Sequence, residues 1–100
     1  MDKDKFNIQV DEETKEKQRY AIIYGHAKEI TALRVSEELG IIISVEIGGI
    51  CLIHRVEGRF IRKIDLKAYL SHGANVKCIQ VHENGFIMFL STKNDLIILR

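Results

Sequence analysis

Two cysteine–histidine pairs are the first residues in this chain whose types and spacing could do chemistry: Cys51-x-x-His54 and Cys78-x-x-x-His82. Thiolate and imidazole are the usual ligands of zinc, and the same two groups form activated nucleophiles. Both pairs fall in stretches that read as strands. There, odd spacing sends Cys51 and His54 to opposite faces, while Cys78 and His82 share a face but lie about 13 Å apart at ~3.3 Å per residue. A nucleophile also needs a base within hydrogen-bond reach and a third group to hold it. The cysteines therefore read as core thiols. Gly48-Gly49 lacks the spacing of a phosphate loop and reads as a hairpin turn. Glu37-Glu38 and Asp11-Glu12-Glu13 lack calcium-loop spacing and read as solvated loops. The basic run Arg59, Arg62, Lys63 and Lys67 is interrupted by Phe60, Ile61 and Ile64, as on the solvent side of an outer strand. No catalytic, cofactor or metal site is expected.

The elements that carry these residues are repeated. His26, Ile30, Leu33 and Val35 recur 46 positions later as His72, Val76, Ile79 and Val81. Gly40 and the apolar run Ile41 to Val45 are matched by Gly85 and Phe86 to Leu90 at an offset of 45. Ile50 to Ile53 is aligned with Leu96 to Leu99, which returns the offset to 46 and implies one shorter loop and one longer turn. A period in the forties points to a repeat array whose units bury their apolar faces against one another. Apolar runs of four to seven residues, rich in Ile and Val and bounded by Gly, Asn and Asp, are strand signals. The fold class is all-β, with about two antiparallel sheets.

Residues 1–19 differ, with 11 charges of mixed sign. They read as a charged linker or loop, with the alternation Phe6, Ile8, Val10 suggesting a short edge strand. Residues 20–24 follow as an outer strand, 26–66 as a first four-stranded unit, and 72–100 as a second, incomplete one. In the outer strand, Phe60, Arg62 and Ile64 are expected on one face and Ile61, Lys63 and Asp65 on the other. The balance of 15 basic and 14 acidic residues gives no clustered basic surface for nucleic acid. Two cysteines without scaffold spacing suit a reducing compartment, and no apolar run approaches the ~20 residues of a membrane span. A cytoplasmic chain without direct membrane insertion is expected. Its length and its missing last strand make it read as an excerpt of a longer protein, or as a unit that pairs with other copies.

Gly25-His26, the strand of Ile30, Leu33 and Val35, and the segment Ser44 to His54 together resemble a WD-repeat, the unit of the β-propeller. The resemblance spans residues 20–100. Gly49-Ile50-Cys51-Leu52-Ile53-His54 and Gly58-Arg59-Phe60-Ile61-Arg62 are similar to the C-terminal WD-repeats of BEACH-domain, neurobeachin-like proteins. The resemblance implies a partial propeller of about two blades and a structural polar set of His26, Ser44, His54 and His72. In that set His54 replaces the usual Trp, and Gly48 stands where an Asp is expected. His26 thereby loses its charged partner and is expected to bond backbone or Ser44, or to be partly solvated. In the second copy, Ser71 replaces Gly and Leu90 falls near the serine position. The implied function is a non-catalytic scaffold in vesicle and membrane trafficking, binding proteins through its rim and through the loops Ala27 to Glu29, Ser36 to Leu39, Glu46 to Gly49 and Lys67 to Ala74. Two other readings stay open: a WD-repeat adaptor of another signalling or ubiquitin-ligase assembly, and a small β-protein that self-associates through open sheet edges.

Overall fold

A computed structural model describes residues 6–10 and 19–100. The described chain is all-β, in three antiparallel sheets. Strands β1 (Phe6–Val10) and β2 (Arg19–Ile23) form a two-stranded ladder of their own. Strands β3 (Ile30–Ser36), β4 (Ile41–Glu46), β5 (Ile50–Arg55) and β6 (Phe60–Asp65) form a four-stranded meander in chain order. A 3-10 turn at Lys67–Tyr69 leads to β7 (Val76–Val81), β8 (Ile87–Ser91) and β9 (Leu96–Leu99), a three-stranded meander. Both larger sheets are open.

The register makes the repeat physical. Leu33 pairs with Ser44 as Ile79 pairs with Phe89, and Ile43 pairs with Ile53 as Met88 pairs with Ile98. The third strands are therefore related by 45 positions (53 to 98), not by the 46 that apolar matching suggests. The β4–β5 and β8–β9 turns are equal in length. The only change of length between the copies is the shorter β7–β8 loop. A one-residue slip matters because it would turn every side chain of the strand to the other face. The first strand of each sheet also carries an irregularity at the same place, between Ile30 and Ala32 and between Val76 and Cys78.

Another bulge lies where Ile53 and His54 meet β6. An extra residue there flips the alternation, so Phe60 pairs with His54 and stacks edge-on against its ring at 5.6 Å, on the face opposite Arg62 and Ile64. The even alternation expected of Phe60, Arg62 and Ile64 is thus broken at its first residue.

Each larger sheet has two unlike faces. The front of the first bears Ala32, Ile43, Val45, Cys51 and Ile53, and its back bears Ile30, Leu33, Val35, Ile42, Ser44, Leu52 and His54. At the equivalent positions, the front of the second sheet bears Cys78, Met88, Leu90, Leu96 and Ile98, and its back bears Val76, Ile79, Ile87 and Phe89. The core is the front of the first sheet packed on the back of the second, with Leu66 from the connection closing the seam. Burying these side chains is the main force that stacks the sheets. Among the described residues, no helix is long and apolar enough to cross a membrane.

Candidate functional site

The most organised polar cluster lies where the chain enters the first sheet. Gly25 bends the chain across the back of the sheet with φ +149°, and a Cβ there would come within 2.9 Å of Leu52 Cδ1. That approach sets His26 over β4. Its Nδ1 lies 2.9 Å from Glu46 Oε1, and its Nε2 lies 2.7 Å from Ser44 Oγ. A carboxylate only accepts, so Nδ1 carries the hydrogen and donates it. At the other nitrogen, the Nε2–Ser44 Oγ hydrogen bond holds the ring against β4. Ala27 N–H adds a second hydrogen bond to the same carboxylate oxygen at 3.2 Å. The hydrogen bond from His26 is the main reason the Glu46 carboxyl sits below its usual value of 4.5. The charged partner thought to be missing from His26 is therefore Glu46. It comes from the end of β4 and not from the Gly48 position, where the sequence pattern looks for it.

The second sheet builds the same tie from other residues. Ser71 donates its N–H to Asp95 Oδ2 at 2.9 Å and its hydroxyl to Asp95 Oδ1 at 2.7 Å. The Ser91 hydroxyl donates to Asp95 Oδ2 at 2.7 Å. These bonds, led by the Ser71 N–H, hold the Asp95 carboxyl below its usual 3.8. Ser71 stands where Gly25 does, and Ser91 where Glu46 does. His72 is exposed, and it is its backbone carbonyl that takes part, accepting from Lys93 Nζ at 2.7 Å. Phe89, not Leu90, occupies the Ser44 position. In both sheets a polar strut thus joins the incoming segment to the middle strand, beside a matched backbone bond: Ile47 N–H to Glu29 O and Thr92 N–H to Asn75 O, each 2.8 Å. Aligning the turns at an offset of 45 would set Ser91 opposite Glu46, but it sets Asp95 opposite Ile50, so no sequence signal marks Asp95.

His54 completes the first cluster from β5. It is buried on the same face as Ser44, and burial first, with the proximity of His26 second, lowers its pKa from 6.5. Cys51 points the other way, into the seam between the sheets. Burial pushes its thiol up to about 12, against a smaller opposing pull from Arg62. A thiol so shifted is neither a ready nucleophile nor a ready ligand. Among the described residues, no three His, Cys, Asp or Glu side chains converge closely enough to hold a metal ion.

Glu46–His26–Ser44 has the connectivity of an acyl-transfer triad. Its setting is different. Ser44 is buried in the middle of a strand that is paired on both sides, so the ladder occupies the backbone N–H groups around it that could cradle an oxyanion. The hydroxyl also lies 3.5 Å from Leu52 O within the sheet. The arrangement fixes a chain crossing and orients the histidine ring.

Two shallow clefts open at the ends of the seam. One lies between the β3–β4 loop (Ser36, Glu37, Glu38) and Val81. The other lies between the β4–β5 turn (Ile47, Gly48) and the connection at Lys67 and 70–75. No protein-family model matches the chain, and no solved structure matches it.

Proposed function

We propose that this chain is a non-catalytic protein-interaction scaffold of WD-repeat type. The observation that carries the reading is the duplicated strut: His26 to Ser44 and Glu46 in one sheet, Ser71 to Asp95 and Ser91 in the next. Rigid stacked sheets with loops gathered at their two ends suit the presentation of surfaces. Ala27 to Glu29, Ser36 to Leu39, Glu46 to Gly49 and Lys67 to Ala74 are the partner-facing loops in this reading. One cleft lies against the Ser36 to Leu39 loop, and the other between the Glu46 to Gly49 and Lys67 to Ala74 loops. The motif Gly49 to His54 favours a BEACH-like parent acting in vesicle and membrane trafficking over an adaptor of a signalling or ubiquitin-ligase assembly. Two free cysteines support a cytoplasmic setting, and the near-balanced charge supports protein rather than nucleic acid as partner.

The test is proximity labelling in cells with the chain and with a variant carrying Glu37→Lys, Glu38→Lys and Ile47→Asp. Trafficking proteins labelled by the native chain and lost with the variant support the reading. An ester- or amide-hydrolysing activity that disappears in Ser44→Ala would overturn it.

A further inference from the structure

The seam inside this molecule joins two different surfaces, the front of one sheet and the back of the next. Among the described residues, that leaves the front of the second sheet uncovered, together with the β3 side of the first sheet's back; the rest of that back, at Ser44, Leu52 and His54, is already buried beneath the crossing at His26. The uncovered positions are the repeat equivalents of buried ones. Val76 and Ile79, on the back of the second sheet, are 0% and 3% exposed, whereas their counterparts Ile30 and Leu33 are 47% and 61% exposed. Cys51 and Ile53, on the front of the first sheet, are 0% and 6% exposed, whereas their counterparts Leu96 and Ile98 are 63% and 48% exposed. Apolar character has been kept at these sites without the burial that goes with it in the other copy. Val35, on the same back face, and Met88 and Leu90, on the same front face, extend the two patches.

We propose that a second copy of this chain covers these patches, the β3 side of the back of its first sheet seated on the front of the other molecule's second sheet. The internal seam shows that surfaces of these two kinds fit when presented by neighbouring repeats. An intermolecular contact of the same kind continues the stack. Such a contact is head-to-tail: each molecule offers a donor face and an acceptor face, and the assembly closes as a ring or grows as a filament according to the rotation between sheets. Face stacking differs from pairing through strand edges, because it places no demand on β6 or β9 backbone groups. The inference stands on the stacking geometry and is independent of the WD-repeat reading, which a monomeric chain would leave intact.

Sedimentation velocity on the whole chain over a range of concentrations tests it, together with two variants at exposed sites, Leu33→Glu and Leu96→Glu. The native chain is expected to form species that are multiples of the monomer mass. Each variant alone is expected to lose association by about tenfold or more in Kd. Mixed together, the two variants are expected to form a one-to-one dimer and nothing larger, because each retains the face the other lacks. Circular dichroism identical to that of the native chain shows that the variants fold. A native chain that stays monomeric overturns the proposal, as does association that neither substitution weakens. Variants that fail to pair on mixing overturn the head-to-tail arrangement.

Discussion

His26 is the residue on which the first sheet's polar order turns. Its removal leaves the buried Ser44 hydroxyl without its ring partner, a loss worth about 1–3 kcal/mol. His26→Ala is thus expected to lower the urea midpoint with an unchanged slope, and Ser44→Ala to cost less. The acid response follows from three groups. His54, Glu46 and Asp95 each titrate lower in the folded chain than at their ordinary values of 6.5, 4.5 and 3.8. In each window the unfolded chain binds more protons, so stability rises with pH. It is fully present above about pH 6.5 and falls in two stages, first as His54 is forced to charge and then as the carboxylates are protonated. Urea midpoints at neutral pH, at pH 5.5 and at pH 4 should descend in that order. Cys51 gives a separate readout: in Cys78→Ser, iodoacetamide should label the thiol only after unfolding, because burial keeps it protonated. The pairing of His26 with Ser44 could be anticipated from residue types. Glu46 could not, because strand parity and one turn of backbone decide which carboxylate reaches the ring.

At the scale of the element, the turn after β4 is the most constrained. Gly49 has φ +103°, and a Cβ there would lie 3.0 Å from the Lys67 backbone nitrogen. Its carbonyl accepts from Leu66 N–H at 2.9 Å, which brings the end of β6 back to the turn. Gly49→Ala should destabilise by more than about 1 kcal/mol, measured by thermal melting, since both the dihedral and the space oppose it. Gly48→Ala meets nothing within 4 Å and carries only the dihedral cost of its φ of +96°. Strands were legible at this scale because apolar runs bounded by Gly and Asn leave few alternatives. Bulges were not. The irregularities after Ile30 and Val76 and the flip at Phe60 arise from ladder geometry, and a hydrophobic pattern carries no mark of one unpaired residue. The third-strand offset was misjudged for a related reason: Leu96 to Leu99 is apolar at every position, so either register looks equally good.

At the scale of the whole molecule, the buried apolar core of the described residues lies in the seam between the two larger sheets. Phe89 is fully buried in it, and Phe89→Ala should cost about 3–5 kcal/mol in denaturant unfolding. Leu33→Ala, on the uncovered β3 side of the first sheet's back, should change the stability of the isolated chain by less than about 0.5 kcal/mol. A comparable loss at both sites would mean that the back face is covered in solution. The duplicated architecture was visible from the recurrence of a few residues, but which face met which was not, since both faces of both sheets are apolar in part. The two ends of each sheet are also unequal. Struts, matched turns and the Gly49–Leu66 bond crowd one end, while the only difference in length between the copies falls at the other. A peptide epitope spliced between Glu37 and Glu38, or after Glu83, should therefore leave the folded core intact, whereas the same graft beside Ile47 would prise the two sheets apart.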